Sequence, residues 1–187
     1  TSGQVTSGIL TNARVEQPSI GAVFHVDAAA RTFSFQRKTK GTRALHWFIG
    51  SGKVGRSFAF ADDGFLFQAP VSYFARDNRW GVSPGFEERK HVDIARPIEE
   101  PCLQCHATRP RLIKGTANRY SESVADPGIG CTRCHGEGPN HDVVNPAKLD
   151  AERRANVCEQ CHLTGAAKVV RAGKNAFDYR PGLPLRD

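Results

Sequence analysis

The sequence predicts an α+β chain with much coil, in which a small antiparallel β-sheet region is followed by a region of short helices and loops packed around prosthetic groups. Three observations predict it. Apolar residues recur with period two between about Ala22 and Trp80, helical signals after residue 97 are short and broken by Pro and Gly, and all six cysteines fall in three copies of one short signature. The expected division is an N-terminal arm over residues 1–20, a small antiparallel β region over 21–96, and a cofactor-packed region over 97–187.

Taken in order, Thr1 to Ile20 is rich in Thr, Ser and Gly, shows no sustained periodicity, and reads as an arm or coil. Thr32-Phe33-Ser34-Phe35-Gln36 and Ser57-Phe58-Ala59-Phe60 alternate, and Phe65, Phe67, Ala69, Val71 and Tyr73 would share one strand face. Asp62-Asp63-Gly64 is a hairpin turn signal, and Pro70 marks an edge or a bulge. Gly50-Ser51-Gly52-Lys53 lacks the Walker spacing and a following helix, so it reads as a tight turn near a cofactor edge. Residues 81–101, with Pro84, Pro97 and Pro101, read as a linker. Asp150 is placed to cap a helix whose residues Ala151, Ala155, Cys158 and His162 share a face, and Gly165 would end it. The tail from Phe177 to Asp187, with Pro181, Gly182 and Pro184, reads as extended coil.

The signature is Cys102-Leu103-Gln104-Cys105-His106, repeated as Cys131-Thr132-Arg133-Cys134-His135 and Cys158-Glu159-Gln160-Cys161-His162. C-x-x-C-H is the attachment pattern of c-type haem: the two sulfurs reach the two vinyl positions of one macrocycle, and the adjacent imidazole turns toward the iron. With 7 His in 187 residues, the chance that every C-x-x-C is followed by His is on the order of 10⁻⁴. Structural zinc would pair its knuckles, and three leave an odd one. Disulfides close long loops, whereas these cysteines stand two residues apart. The sequence therefore predicts three covalently bound haem c groups, each held by its cysteine pair, with His106, His135 and His162 on iron.

Composition agrees. An apolar fraction of 39% is low for a chain that must build a large core, and macrocycles supply the missing apolar mass. The formal charge of +7 invites nucleic acid or an acidic membrane. Three haems with six propionates would bring the oxidised holoprotein to about +4, and no aromatic-basic recognition motif accompanies the charge, so nucleic acid is not the expected partner. No methionine occurs, so a processed, secreted chain is expected, located in the periplasm or outside the cell. No apolar run approaches the length of a membrane span. Missing Met also excludes a Met/His axial pair, which leaves low-potential bis-histidine haem as the expectation.

Four histidines lie outside the signatures: His25, His46, His91 and His141. A lone histidine is usually an ordinary surface or core residue, yet three irons need distal ligands and few histidines remain to supply them. His141 follows His135 by only six residues, too few to travel round its own macrocycle, so it is expected to serve a neighbouring haem. His46 beside Trp47 would be held rigidly at the start of a strand.

Several segments carry a resemblance. His46-Trp47-Phe48-Ile49-Gly50-Ser51-Gly52, Gly64 through Tyr73, the Gly138-Pro139-Asn140-His141 ending of the second motif and Val144-Asn145-Pro146-Ala147-Lys148-Leu149 resemble multihaem cytochromes of the family that includes the tetrahaem electron acceptor of hydroxylamine oxidoreductase. The resemblance implies bis-histidine haems packed in close pairs. The chain departs from it in lacking the additional C-x-x-C-H that commonly precedes the sheet, so one histidine either ligates nothing or ligates a haem of another chain.

The expected function is electron transfer, with no catalytic residue, because irons closed on both faces leave outer-sphere exchange as the available chemistry. Its sharper variant is polymerisation into an extracellular conductive filament, with other copies and redox proteins as partners. The alternative is an oxidoreductase acting on nitrogen or sulfur oxyanions at one five-coordinate haem, for which no motif selects acid-base groups. A sensor or docking module fused to a partner is a third class.

Overall fold

The computed structural model describes the chain except for residues 1–2, 7, 37–38, 51, 89, 91–93, 95, 109, 122–127, 138–142, 164, 166–168, 176 and 187. Strands β2 (Ala13–Gln17), β3 (Ala22–Asp27), β4 (Thr32–Gln36) and β5 (Lys40–Ala44) form a four-stranded antiparallel meander. Alternation decides its faces: Val15, Phe24, Val26 and Phe33 are buried, while Glu16, His25 and Asp27 between them are exposed.

The second sheet has six strands: β1 (Gly3–Gln4), β6 (Trp47–Ile49), β7 (Gly55–Asp62), β8 (Phe65–Phe74) and β10 (Arg96–Pro97) in that order, with β9 (Arg79–Val82) also on β8. Asp63 and Gly64 join β7 to β8 with φ of 48° and 78°, the two positive values a type I′ hairpin turn requires. Ser57 pairs with Ser72 but Ala59 pairs with Gln68, so β8 spends extra residues around Pro70 in a bulge. The missing proline N–H therefore interrupts no regular ladder.

The sheets pack through aromatic rings. Phe33 of β4 meets Phe60 of β7 across the sheets at 5.5 Å between centroids, and within the six-stranded sheet Phe58 stacks on Trp80 at 5.2 Å. Phe67, Ala69, Val71 and Tyr73 join this core, as their shared face predicts. The reverse face of β7 and β8 is also apolar. Ala59 and Leu66 pack there with Ile98, Leu103, Ala107 and Tyr120, and this second core seats helix α1 (Glu100–His106) on the sheet.

Two further α-helices follow, α2 (Thr132–His135) and α3 (Ala151–His162), and single 3-10 turns occur at Pro18–Ile20 and Pro146–Lys148. Asp150 caps α3, its side chain accepting from the Arg153 N–H at 2.9 Å, as the sequence suggests.

The α+β expectation is corrected. The fold is mostly β: strands take 34% and helices 18% of the described residues, in two antiparallel sheets against three short helices. The reason is physical. Helix forms little beyond the signatures and the capped run before the third, and only Leu103, Ala107, Tyr120 and Val157 past residue 99 are buried apolar residues among those described. A segment with so few apolar contacts of its own cannot sustain a helical bundle. Meanwhile the coil expected before residue 21 gives way to β1 and β2, because β2 buries Val15 and Gln17 on the meander and β1 pairs with β6. The extended tail is also tied down. Leu185 N–H donates to Asn156 Oδ1 at 2.6 Å, and Phe177 packs against the second core.

Candidate haem-attachment site

Each signature ends a helix. In α1 and α3, and in α2 with its preceding residue, the two cysteines stand one helical turn apart with the histidine at the last position. No two of the six cysteines are joined in a disulfide. In every copy the first, Cys102, Cys131 or Cys158, is exposed, and the second, Cys105, Cys134 or Cys161, is half-buried, so each pair straddles the edge of the protein surface.

The three copies converge through residues the signature leaves free. Arg133 Nη2 donates to the Gln104 carbonyl at 2.6 Å, Gln160 Nε2 donates to the Arg133 carbonyl at 2.8 Å, and Gln104 Nε2 donates to the Gln160 carbonyl at 3.5 Å. Gln104, Arg133 and Gln160 hold the same position in their copies, the one before the second cysteine. The three bonds close a ring, with the last one long. Gln160 spends its second amide proton on the Val157 carbonyl at 2.7 Å. Around the ring the half-buried cysteines crowd together: Cys105 Sγ lies 3.6 Å from the Cys161 carbonyl oxygen.

Arg133 is only 8% exposed, and among the described residues no carboxylate pairs with it. Its guanidinium lies over the Phe177 ring at 5.4 Å. Tyr179, two residues on, has a buried hydroxyl without a partner, and burial raises its pKa, with Cys134 and Cys158 contributing. These tail residues were invisible to sequence reasoning because only the fold lays the tail across the signatures.

The residues present fit haem c. His135 is held by a 2.8 Å contact between Nδ1 and the Val144 carbonyl. The carbonyl can only accept, so Nδ1 carries the proton and Nε2 offers its lone pair, the tautomer a metal ligand needs. On α3 the predicted face of Ala151, Ala155, Cys158 and His162 is exposed in full, which leaves two small side chains beside the thiol and imidazole where a flat macrocycle would lie. The buried face is instead Asn156, Val157 and Gln160.

The other histidines are placed differently. His46 lines a cavity of about 300 Å³ with Trp47, Leu66, Tyr120 and Ser121, on the side of the sheet that seats α1. Its Nδ1 accepts the Ala61 N–H at 3.2 Å, so in the neutral ring the proton sits on Nε2. Desolvation lowers the pKa of His46 and of His106, although both keep an exposed edge. His25 stands on the outer face of the meander, opposite the face that buries Phe24 and Val26, so both sheets lie between it and α1. His162 is exposed at the end of α3. His91 and His141 lie outside the described residues.

Comparison with known proteins fits this site. Residues 83–136 match the family described as cytochrome c554 and c-prime, a span that includes the first two signatures. The c-type polyheme cytochrome OmcB of Geobacter sulfurreducens, in two strains, is 28% identical over 119 residues, covering 60% of this chain and 15% of OmcB. The chain thus spans about 15% of the length of these curated relatives. The crystal structure of the outer cell wall cytochrome OcwA aligns with a TM-score of 0.41 at 18% identity, over 63% of this chain and 26% of that one. The sequence matches, with the signatures, support a multihaem c-type cytochrome carrying covalently bound haem c.

Proposed function

We propose that this chain transfers electrons through three covalently bound haem c groups, attached at Cys102 and Cys105, Cys131 and Cys134, and Cys158 and Cys161, with His106, His135 and His162 as proximal ligands. The observation that carries the reading is the convergence of all three signatures on one hydrogen-bonded ring. Attachment turns packed this closely hold their macrocycles as neighbours. Bound haem supplies a one-electron couple at iron; the chain's own residues fix the sulfurs, set the tautomer of His135 through the Val144 carbonyl, and exclude water from the inner side of each pair.

Distal ligation from His46, His141, His25 and His91 belongs to the same proposal, as does relationship to the electron acceptor of hydroxylamine oxidoreductase. His46 stands on the α1 side of the sheet, and its ligation through Nε2 requires Nδ1 to exchange the Ala61 N–H for a proton of its own. His25, beyond both sheets, suits a haem of another copy, which is the geometry an extracellular filament would use. Among the described residues no helix is long and apolar enough to cross a membrane, and a location outside the cytoplasmic membrane, with redox proteins or further copies as partners, completes the reading.

Visible spectroscopy tests it. Low-spin spectra in both redox states, unchanged by cyanide or nitrite, are expected. A high-spin component from one haem that binds either ligand would replace the carrier with an oxidoreductase.

A further inference from the structure

We propose that Gln104, Arg133 and Gln160 are positioning residues whose hydrogen-bonded ring fixes the three haem-attachment turns relative to one another, and so sets the contacts between haems. This rests on the haem reading above. C-x-x-C-H dictates how each turn grips one macrocycle and says nothing about where the next turn lies. The structure supplies that information from one position per signature.

Three features single the ring out from ordinary surface polarity. Arg133 and Gln160 are 8% and 6% exposed, so their donors would be costly to leave unmade. Every acceptor is the main-chain carbonyl of the same signature position, so each bond locks a side chain of one attachment turn to the backbone of another. Helices α1 and α2 have only seven and four residues, too short to hold their orientation unaided. Leu103 anchors α1 to the sheet, but it does not reach α2 or α3. The ring does.

The bonds differ in length, and that ranks the variants. Gln160→Leu removes the firm 2.8 Å donor to Arg133 together with the bond to Val157, whereas Gln104→Leu removes only the 3.5 Å closing bond. Because both act on one closed unit, the double variant should add little to Gln160→Leu alone.

The experiment is circular dichroism of the purified holoprotein in the Soret region, where close haems couple excitonically, with intact mass recorded on each sample. Gln160→Leu should keep the wild-type haem number and low-spin spectrum yet lose at least half of the coupled signal. Gln104→Leu should lose less, and the double variant no more than Gln160→Leu. Phe33→Leu, which loosens the remote sheet core, controls for lowered stability and should leave the signal unchanged. A wild-type signal in Gln160→Leu, or an equal loss in Phe33→Leu, overturns the ring's role while leaving the haem reading intact. Wild-type protein without haem mass rejects the reading itself. If Gln160→Leu does not accumulate as holoprotein, Gln104→Leu decides: a partial loss of the coupled signal at unchanged haem number supports the ring, and a wild-type signal overturns it.

Discussion

Replacing Leu103 with Ala tests how the first attachment turn is held on the sheet. Leu103 lies between the cysteines of the first signature and is 4% exposed, and it is the one buried residue of the seven-residue α1. Truncation removes about three carbons' worth of transfer free energy, roughly 2.4 kcal/mol at about 0.8 kcal/mol each. A cavity term is added because the walls come from several separately held segments. Ala59 and Leu66 belong to β7 and β8, which are pinned by ladder hydrogen bonds, while Tyr120 is fixed by its hydroxyl on the Ile98 carbonyl at 3.2 Å. The site therefore collapses only partly, and the expected loss is about 3–4 kcal/mol. Guanidinium unfolding of the holoprotein, followed by far-ultraviolet circular dichroism for the sheets and by Soret absorbance for the haem surroundings, measures it. The Soret transition should move at least as far as the sheet transition. A loss below about 0.5 kcal/mol would refute the seating of α1 through Leu103, since even an uncompensated methylene costs more.

The remaining predictions concern caps, hydroxyls and pH. Asp150→Ala should cost about 1 kcal/mol by removing the acceptor of the Arg153 N–H, and hydrogen exchange should rise in the first turn of α3. Two Tyr→Phe variants should differ in sign: Tyr120→Phe strips the Ile98 carbonyl of a buried partner and destabilises by about 1–2 kcal/mol, whereas Tyr179→Phe removes an orphan hydroxyl and leaves unfolding unchanged or slightly harder. Burial lowers the pKa of His46 in the fold, so the unfolded chain takes up its proton first. Stability from this group is present above about pH 6.5 and is lost as pH falls through the lower folded value. Protonation also ends the Ala61 N–H contact to Nδ1. With His46 free of iron, the unfolding midpoint should fall on acidification, and less steeply in His46→Gln; equal slopes are the result expected of a His46 held on an iron, which cannot titrate.

What the sequence disclosed was local. Alternation placed Phe33, Phe58, Phe60, Ala69 and Val71 toward one core, Asp63-Gly64 made the turn its chemistry requires, and Asp150 capped its helix, because each signal acts within a few residues. β2 escaped notice because a five-residue strand with only Val15 as a buried apolar residue offers little pattern. The apolar reverse face of β7 and β8 was hidden because Ala59 and Leu66 carry meaning only once α1 lies over them. The sequence points to α+β because its signatures make short helices, while the strands within the first twenty residues have the composition of coil. The ring was illegible for a deeper reason. The positions between the cysteines are free in the attachment pattern, so Gln104, Arg133 and Gln160 look interchangeable with any residue until chain separations of 27 to 56 residues are closed.

The central claim is that three neighbouring turns of this chain each hold one haem covalently. Intact mass spectrometry of the denatured holoprotein measures this directly, since thioether-bound haem survives unfolding. The account predicts the polypeptide mass plus three haem groups, falling to two when both cysteines of any one signature are replaced by alanine. A bare polypeptide mass, or three haems that persist after such a replacement, would contradict it.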